Sequence, residues 1–180
     1  MNETLFHTKF LDLKSTVTKE GRNWFYAHRP NANNVVIILA MTDEDVLFII
    51  EERPPIQAEG KGKYTIGLVA GLVGDQRQGE SIEDAIRAEL LEEAGLHASE
   101  INIVANKVAS SAGCVSETCA IALVKVADKT IIQEPLDDGG VIVDRVWVKK
   151  MNVYTWLRKK ENEGCVLTAQ ALAALYYMDK

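Results

Sequence analysis

The sequence is short of several things at once. Cysteine is scarce: Cys114, Cys119 and Cys165 are an odd three at spacings that match no zinc pattern, so neither a disulfide framework nor a structural zinc site is expected. Long apolar runs are missing as well. The longest, such as Val35 to Met41, fall far short of the ~20 residues of a membrane-spanning helix. Positive charge is in deficit, with 20 Lys and Arg against 26 Asp and Glu, a net charge of −6 and a pI near 5.2. A general nucleic-acid binder is disfavoured, because non-specific affinity for the phosphate backbone comes from clustered Lys and Arg. An acidic protein that handles phosphates must bring in positive charge, and a divalent cation is the simplest source. Met1 to Asp12 does not read as a signal peptide, which together with the cysteine usage points to the reducing cytoplasm.

What is present is an ordinary globular composition, 47% hydrophobic and 26% charged over 180 residues. A chain of this length buries roughly 70% of its unfolded surface, enough for a core without staples. One domain over residues 1–180 is expected, with residues 1–30 as an N-terminal strand extension. Short β-branched runs at Val35 to Leu39 and Val46 to Ile50, separated by Thr42-Asp43-Glu44-Asp45, read as a hairpin. Leu5 to Ala27 alternates weakly and reads as a second hairpin outside the main sheet. Pro54-Pro55 and Glu59 to Lys63 read as a loop. Strands are expected at Tyr64 to Val73, Ile101 to Ala109, Cys119 to Val126 and Val141 to Val148, and helices at Ile82 to Ala94, Val153 to Glu161 and Thr168 to Met178. Strands outnumber helices without strict βαβ alternation, so the fold class is α+β, a mixed sheet with helices packed on it.

The chemistry concentrates at Gly71 to Leu96. Ser81 with Asp84 three residues on has capping-box spacing, and Gly95 sits where a left-handed residue ends a helix. Between these caps Ile82, Ile86, Leu90 and Ala94 form one apolar stripe. Glu89, Glu92 and Glu93 fall within a ~100° arc beside it. Three carboxylates on one arc repel unless a cation sits between them. On a solvated face that repulsion is only a few tenths of a kcal/mol per pair, so the arc alone reads as a wet helix surface and does not demand a metal. The glycine-rich turn at Val69-Ala70-Gly71 tips the balance, because it brings backbone carbonyls toward the helix, and carbonyl plus carboxylate oxygens suit Mg²⁺.

At this point the chain resembles the Nudix hydrolase family. The Nudix box is Gly, five residues, Glu, seven residues, Arg-Glu, an aliphatic, any residue, Glu-Glu, any residue, Gly and an aliphatic. Glu80, Glu89, Leu90, Glu92, Glu93, Gly95 and Leu96 all fall in place. The motif starts at Gly74 or, with a three-residue insertion, at Gly71; Gly71 is preferred because Ala70-Gly71-Leu72-Val73 resembles the usual approach. The departure is Ala88 where the family has Arg. Arg87 stands one position earlier and is rotated roughly 140° from Glu92, so it does not take over.

Beyond the box the resemblance is strongest to the ADP-ribose pyrophosphatase branch. Glu51-Glu52-Arg53-Pro54 is similar to a strand ending in Arg, and Ile66 to Gly71 to the approach to the box, with Gly67 in place of a frequent Glu. Ser111 to Glu117 is similar to a loop ending in a catalytic Glu, with Ala112 for the usual Pro, and Thr168 to Leu175 to the C-terminal helix. The resemblance implies an α/β/α sandwich and hydrolysis of a diphosphate bridge, such as ADP-ribose to AMP and ribose 5-phosphate. It implies that Glu89 and Glu93 ligate Mg²⁺ or Mn²⁺ with the Ala70 carbonyl. It implies that Glu80 and Glu92 assist as auxiliary ligands or as partners of ligands. It implies that Glu117 is the general base and that Gly71 lies against the substrate; Arg53 is either a bidentate phosphate donor or a member of a surface ion pair. Trp24, within Trp24-Phe25-Tyr26, is either a base-stacking residue or part of a packing surface. A homodimer built on the N-terminal strands is implied too. The alternative, prompted by Ala88 and Gly67, is a non-catalytic nucleotide-binding or regulatory domain.

Overall fold

The structure is a computed structural model that describes residues 2–31, 34–74, 79–135 and 141–178. The chain opens with β1 (Glu3–His7), β2 (Asp12–Val17) and β3 (Asn23–His28), an antiparallel sheet in the order β1-β2-β3, apart from the main one. The expected hairpin therefore carries a third strand. The extra reversal is made at Thr18 to Arg22, where Gly21 takes a φ of 79° and its N–H donates to the Thr18 carbonyl at 3.0 Å.

The main sheet starts with β4 (Asn34–Met41) and β5 (Asp45–Glu51), joined by a turn in which the Asp45 N–H donates to the Thr42 hydroxyl at 3.0 Å. Next comes α1 (Pro54–Ala58), where a loop was expected. Proline is pre-set for the first helical turn and lacks only an N–H that would be unbonded there, so Pro54-Pro55 begins a helix instead of preventing one. The run expected to be one strand divides at Leu68 into β6 (Thr65–Gly67) and β7 (Val69–Val73). Then follow α2 (Ile82–Ala94), β8 (Glu100–Ala109), β9 (Thr118–Lys125), β10 (Ile142–Lys149), α3 (Val153–Asn162), β11 (Val166–Leu167) and α4 (Ala169–Leu175).

The strand order is β11-β6-β5-β4-β9-β8, with β10 also on β5 and β7 also on β4. β4 and β9 run parallel, as do β11 and β6, and the remaining pairs are antiparallel. β4 and β5 are in register at Met41 opposite Val46, beside their turn, and then diverge. β7 pairs with the far end of β4 and β6 with the far end of β5, so the bend at Leu68 spans the mouth of a fork. This fork creates the cavity described below.

Period-two alternation divides the core. Val36, Ile38 and Ala40 face the cluster that holds Ile86, Leu90 and Ala94 of α2, while Ile37, Leu39 and Met41 face Leu157 of α3 and Ala171 of α4. Helices therefore cover both sides of a mixed sheet, the expected α/β/α sandwich. Among the described residues no helix is long and apolar enough to cross a membrane.

Helix α2 begins and ends where its sequence predicts. The Ser81 hydroxyl accepts the Asp84 N–H at 3.1 Å, and Gly95 closes the helix at φ 68° with its N–H on the Leu91 carbonyl at 2.9 Å. Ser81→Ala is expected to lower stability by about 1 kcal/mol, the usual effect of losing an N-cap, measured by urea denaturation.

Candidate active site

A cavity of about 740 Å³ opens at the mouth of the fork. One wall carries Glu89, Glu92 and Glu93 of α2 above Ala70 and Gly71 of β7. A second carries Glu51, Arg53 and Gly67 with Thr168 and Gln170. Arg29 and Glu117 close a third side. Seven of the nine residues expected at the site lie in or beside this space by lining it: Glu89, Glu92, Glu93, Glu117, Ala70, Gly71 and Arg53.

On the α2 wall, the Ala70 N–H donates to the Glu93 carboxylate at 3.1 Å. The Glu89 carboxylate occupies the space beside Gly71: a Cβ built there would lie 1.8 Å from Glu89 Cδ and Oε1. Gly71 is thus required for close approach and not for a left-handed backbone. That conformation belongs to Gly74, at φ 87°, whose N–H donates to Glu80 at 3.0 Å. Residues 75–78 lie outside the described residues. Glu80 is outside the cavity lining and holds the turn that leads into α2.

Position 88 of α2 is an alanine and carries no charge. Arg87 points elsewhere, as its rotation predicts, and donates to the Ala98 carbonyl at 3.1 Å. A different cation reaches the same helix: Arg145 of β10 donates through Nε to the Glu93 carbonyl. A guanidinium on the free carbonyls of a helix C-terminus is favourable through both hydrogen bonding and the helix dipole. Nothing local marks Arg145 in the sequence; only the pairing of β10 with β5 brings it to α2.

Glu51 has no role assigned from the sequence. Its side chain is buried, accepts the Thr65 hydroxyl at 3.1 Å and pairs with Arg53 Nη2 at 2.6 Å. Strand parity offered a signal, since Leu47 and Ile49 face α2 and residue 51 continues that face. A Cβ at Gly67 would lie 3.3 Å from Glu51 Oε1, so a carboxylate from β5 fills the space beside this glycine.

Glu117 stands at the end of the 111–117 loop. Arg29 Nε meets one carboxylate oxygen at 3.0 Å and the Ser110 hydroxyl donates to the other at 3.4 Å. Trp24 is not among the residues lining the cavity; its indole N–H donates to the Gly113 carbonyl at 3.0 Å. The indole serves the loop because β3 runs beside it, a long-range placement that local aromatic content does not reveal. Burial, together with the nearby Glu117 charge, pushes the Cys119 thiol up. Cys114 is exposed on the loop.

Among the described residues, no three His, Cys, Asp or Glu side chains converge into a ready-made metal cage. This does not conflict with Mg²⁺, which is typically held by one or two carboxylates and completed by water and substrate phosphate. The pair Glu89 and Glu93, one helical turn apart on a cavity wall, fits that requirement.

No family model matches the chain, and neither does any curated protein sequence. Among solved structures it is similar to one described as the crystal structure of ADP compounds hydrolase. The match has a TM-score of 0.72 and 19% sequence identity, and covers 99% of this chain and 90% of that one. At that identity the likeness is one of architecture, and it extends over the N-terminal sheet as well as the sandwich.

Proposed function

We propose that the protein hydrolyses the diphosphate bridge of a nucleoside diphosphate linked to a second moiety, with ADP-ribose and other nucleotide sugars the first candidates, using Mg²⁺ or Mn²⁺. The observation that carries this reading is the meeting of the α2 glutamates and Glu117 in one cavity. A volume of about 740 Å³ also lies in the range of small-molecule sites, roughly 300–1,000 Å³.

Glu89 and Glu93 hold the cation, with the Ala70 carbonyl and Glu92 assisting. When bound, the ion supplies positive charge against the phosphoryl oxygens and acidifies water. Arg53, which also lines the cavity, orients the anionic diphosphate through its guanidinium. Glu117 accepts a proton from the attacking water as the water oxygen forms its bond to phosphorus. The bridging P–O bond breaks, and its electron pair leaves on the departing phosphate. From ADP-ribose the products are AMP and ribose 5-phosphate. Exposed Phe6, Leu11, Leu13 and Phe25 on the N-terminal sheet support a homodimer.

The test is a panel of ADP-ribose, nucleotide sugars, dinucleotides and nucleoside triphosphates assayed with and without Mg²⁺. Metal-dependent release of two phosphomonoesters from a nucleotide sugar is expected. If no member of the panel yields a metal-dependent product, the hydrolase reading fails and a nucleotide-binding domain takes its place.

A further inference from the structure

We propose that the N-terminal sheet is a positioning device for Glu117 and that Arg29 is its terminal positioning residue. The role in turnover rests on the hydrolase reading above; the mechanical role does not. Contacts follow one another in register along the two segments. Trp24 Nε1 donates to the Gly113 carbonyl at 3.0 Å, and the Ala27 N–H donates to the Cys114 carbonyl at 2.8 Å. The Ser116 N–H donates to the Ala27 carbonyl at 3.0 Å, and His28 Nδ1 lies 2.9 Å from the Ser116 hydroxyl. Arg29 then meets Glu117 at 3.0 Å. Residues 24–29 and 113–117 therefore run side by side, with a parallel bridge at Ala27 and Val115.

Among the described residues the loop has little else to fix it. Within it, the Cys114 and Val115 N–H groups share the Ser111 carbonyl, both at 2.9 Å, which makes a turn but reaches no further. Residues 111–114 are exposed, and a Cβ at Gly113 would meet nothing within 4 Å. The clamp from β3 orders the backbone, and Arg29 with Ser110 grips both oxygens of the carboxylate from two separate elements. A charge-assisted bond from a planar guanidinium fixes direction as well as distance. The N-terminal sheet thus reaches the reacting groups within its own chain, through the loop and not through a side chain of its strands in the cavity.

The experiment compares Arg29→Ala, Arg29→Lys and Trp24→Phe, each alone and combined with Glu117→Gln. kcat and KM are measured on ADP-ribose with Mg²⁺, alongside amide hydrogen exchange at residues 113–117. Arg29→Ala is expected to lower kcat about tenfold with little change in KM, short of the roughly hundredfold that an ångström of misplacement can bring. Arg29→Lys should recover part of that loss. In the Glu117→Gln background, Arg29→Ala should cost nothing further, because residues acting through one another are not additive. The Ser116 amide should exchange faster in Trp24→Phe and Arg29→Ala. If Arg29→Ala slows the Glu117→Gln enzyme as much as the wild type, Arg29 does not act through Glu117 and the proposal is overturned. Unchanged exchange at Ser116 in both single variants overturns the clamp. Should the wild type hydrolyse no diphosphate, the hydrolase reading falls while the exchange measurement still decides the clamp.

Discussion

Glu93→Gln is expected to remove metal-dependent turnover while leaving the fold intact. Glutamine has nearly the same shape and keeps a carbonyl oxygen for the Ala70 N–H, which now donates to Glu93 at 3.1 Å. It loses the charge a hard cation needs. Changing a residue that merely supports a metal ligand costs about 10–100-fold, so removing a ligand itself should cost more than about a hundredfold in kcat. Stability should hold or rise slightly, because Glu89 and Glu93 are like charges at i, i+4, a pairing that costs about 0.2–0.5 kcal/mol on an open helix surface. The two readouts thus move apart. Turnover as fast as wild type would refute the ligand assignment, and a collapse in thermal stability would mean that the charge has a structural role.

Gly71→Ala separates geometry from charge. A methyl group at this position would overlap the Glu89 carboxylate, its Cβ 1.8 Å from Cδ, so the glutamate must swing off the cavity wall. The obstacle is the far end of a flexible side chain, and Gly71 is not among the glycines with a positive φ, so the strand itself accommodates alanine. Replacing a strand glycine by alanine where the backbone permits it usually adds about 0.4–1 kcal/mol, chiefly by restricting the unfolded chain. The expected result is a loss of about a hundredfold in kcat, the scale of an ångström-sized misplacement, with an unchanged or higher melting temperature. Retained activity would mean that Glu89 works from a position other than the one beside Gly71.

The elements that were legible in the sequence are those specified by neighbours along the chain. Ser81, Gly95 and the 82-86-90-94 stripe delimit α2 because caps and a helical period are local signals. The cavity wall of Glu89, Glu92 and Glu93 follows directly from that helix. The apolar runs of β4 and β5 likewise announce strands buried on both faces. The break at Leu68 was not legible, because nothing between Tyr64 and Val73 is polar enough to mark it. It arises from the divergence of β4 and β5, which pulls the two halves of the segment onto different partners. Arg29 and Glu117 are 88 residues apart, and Arg145 and Glu93 are 52 apart. Such pairings are set by sheet topology, and neither has a spacing or composition that could disclose it. Trp24 illustrates the same limit from the other side: its chemistry suits stacking on a base, and only the position of β3 beside the loop gives the indole a different partner.

Metal binding tests the central claim, that the α2 carboxylates form a cation site, without requiring the right substrate. The direct measurement is a Mn²⁺ titration of the wild type and Glu93→Gln, followed by electron paramagnetic resonance. The wild type is expected to sequester Mn²⁺, and Glu93→Gln to leave it free at the same concentrations. Equal Mn²⁺ binding by the two proteins would contradict the assignment of the site to the arc of Glu89, Glu92 and Glu93.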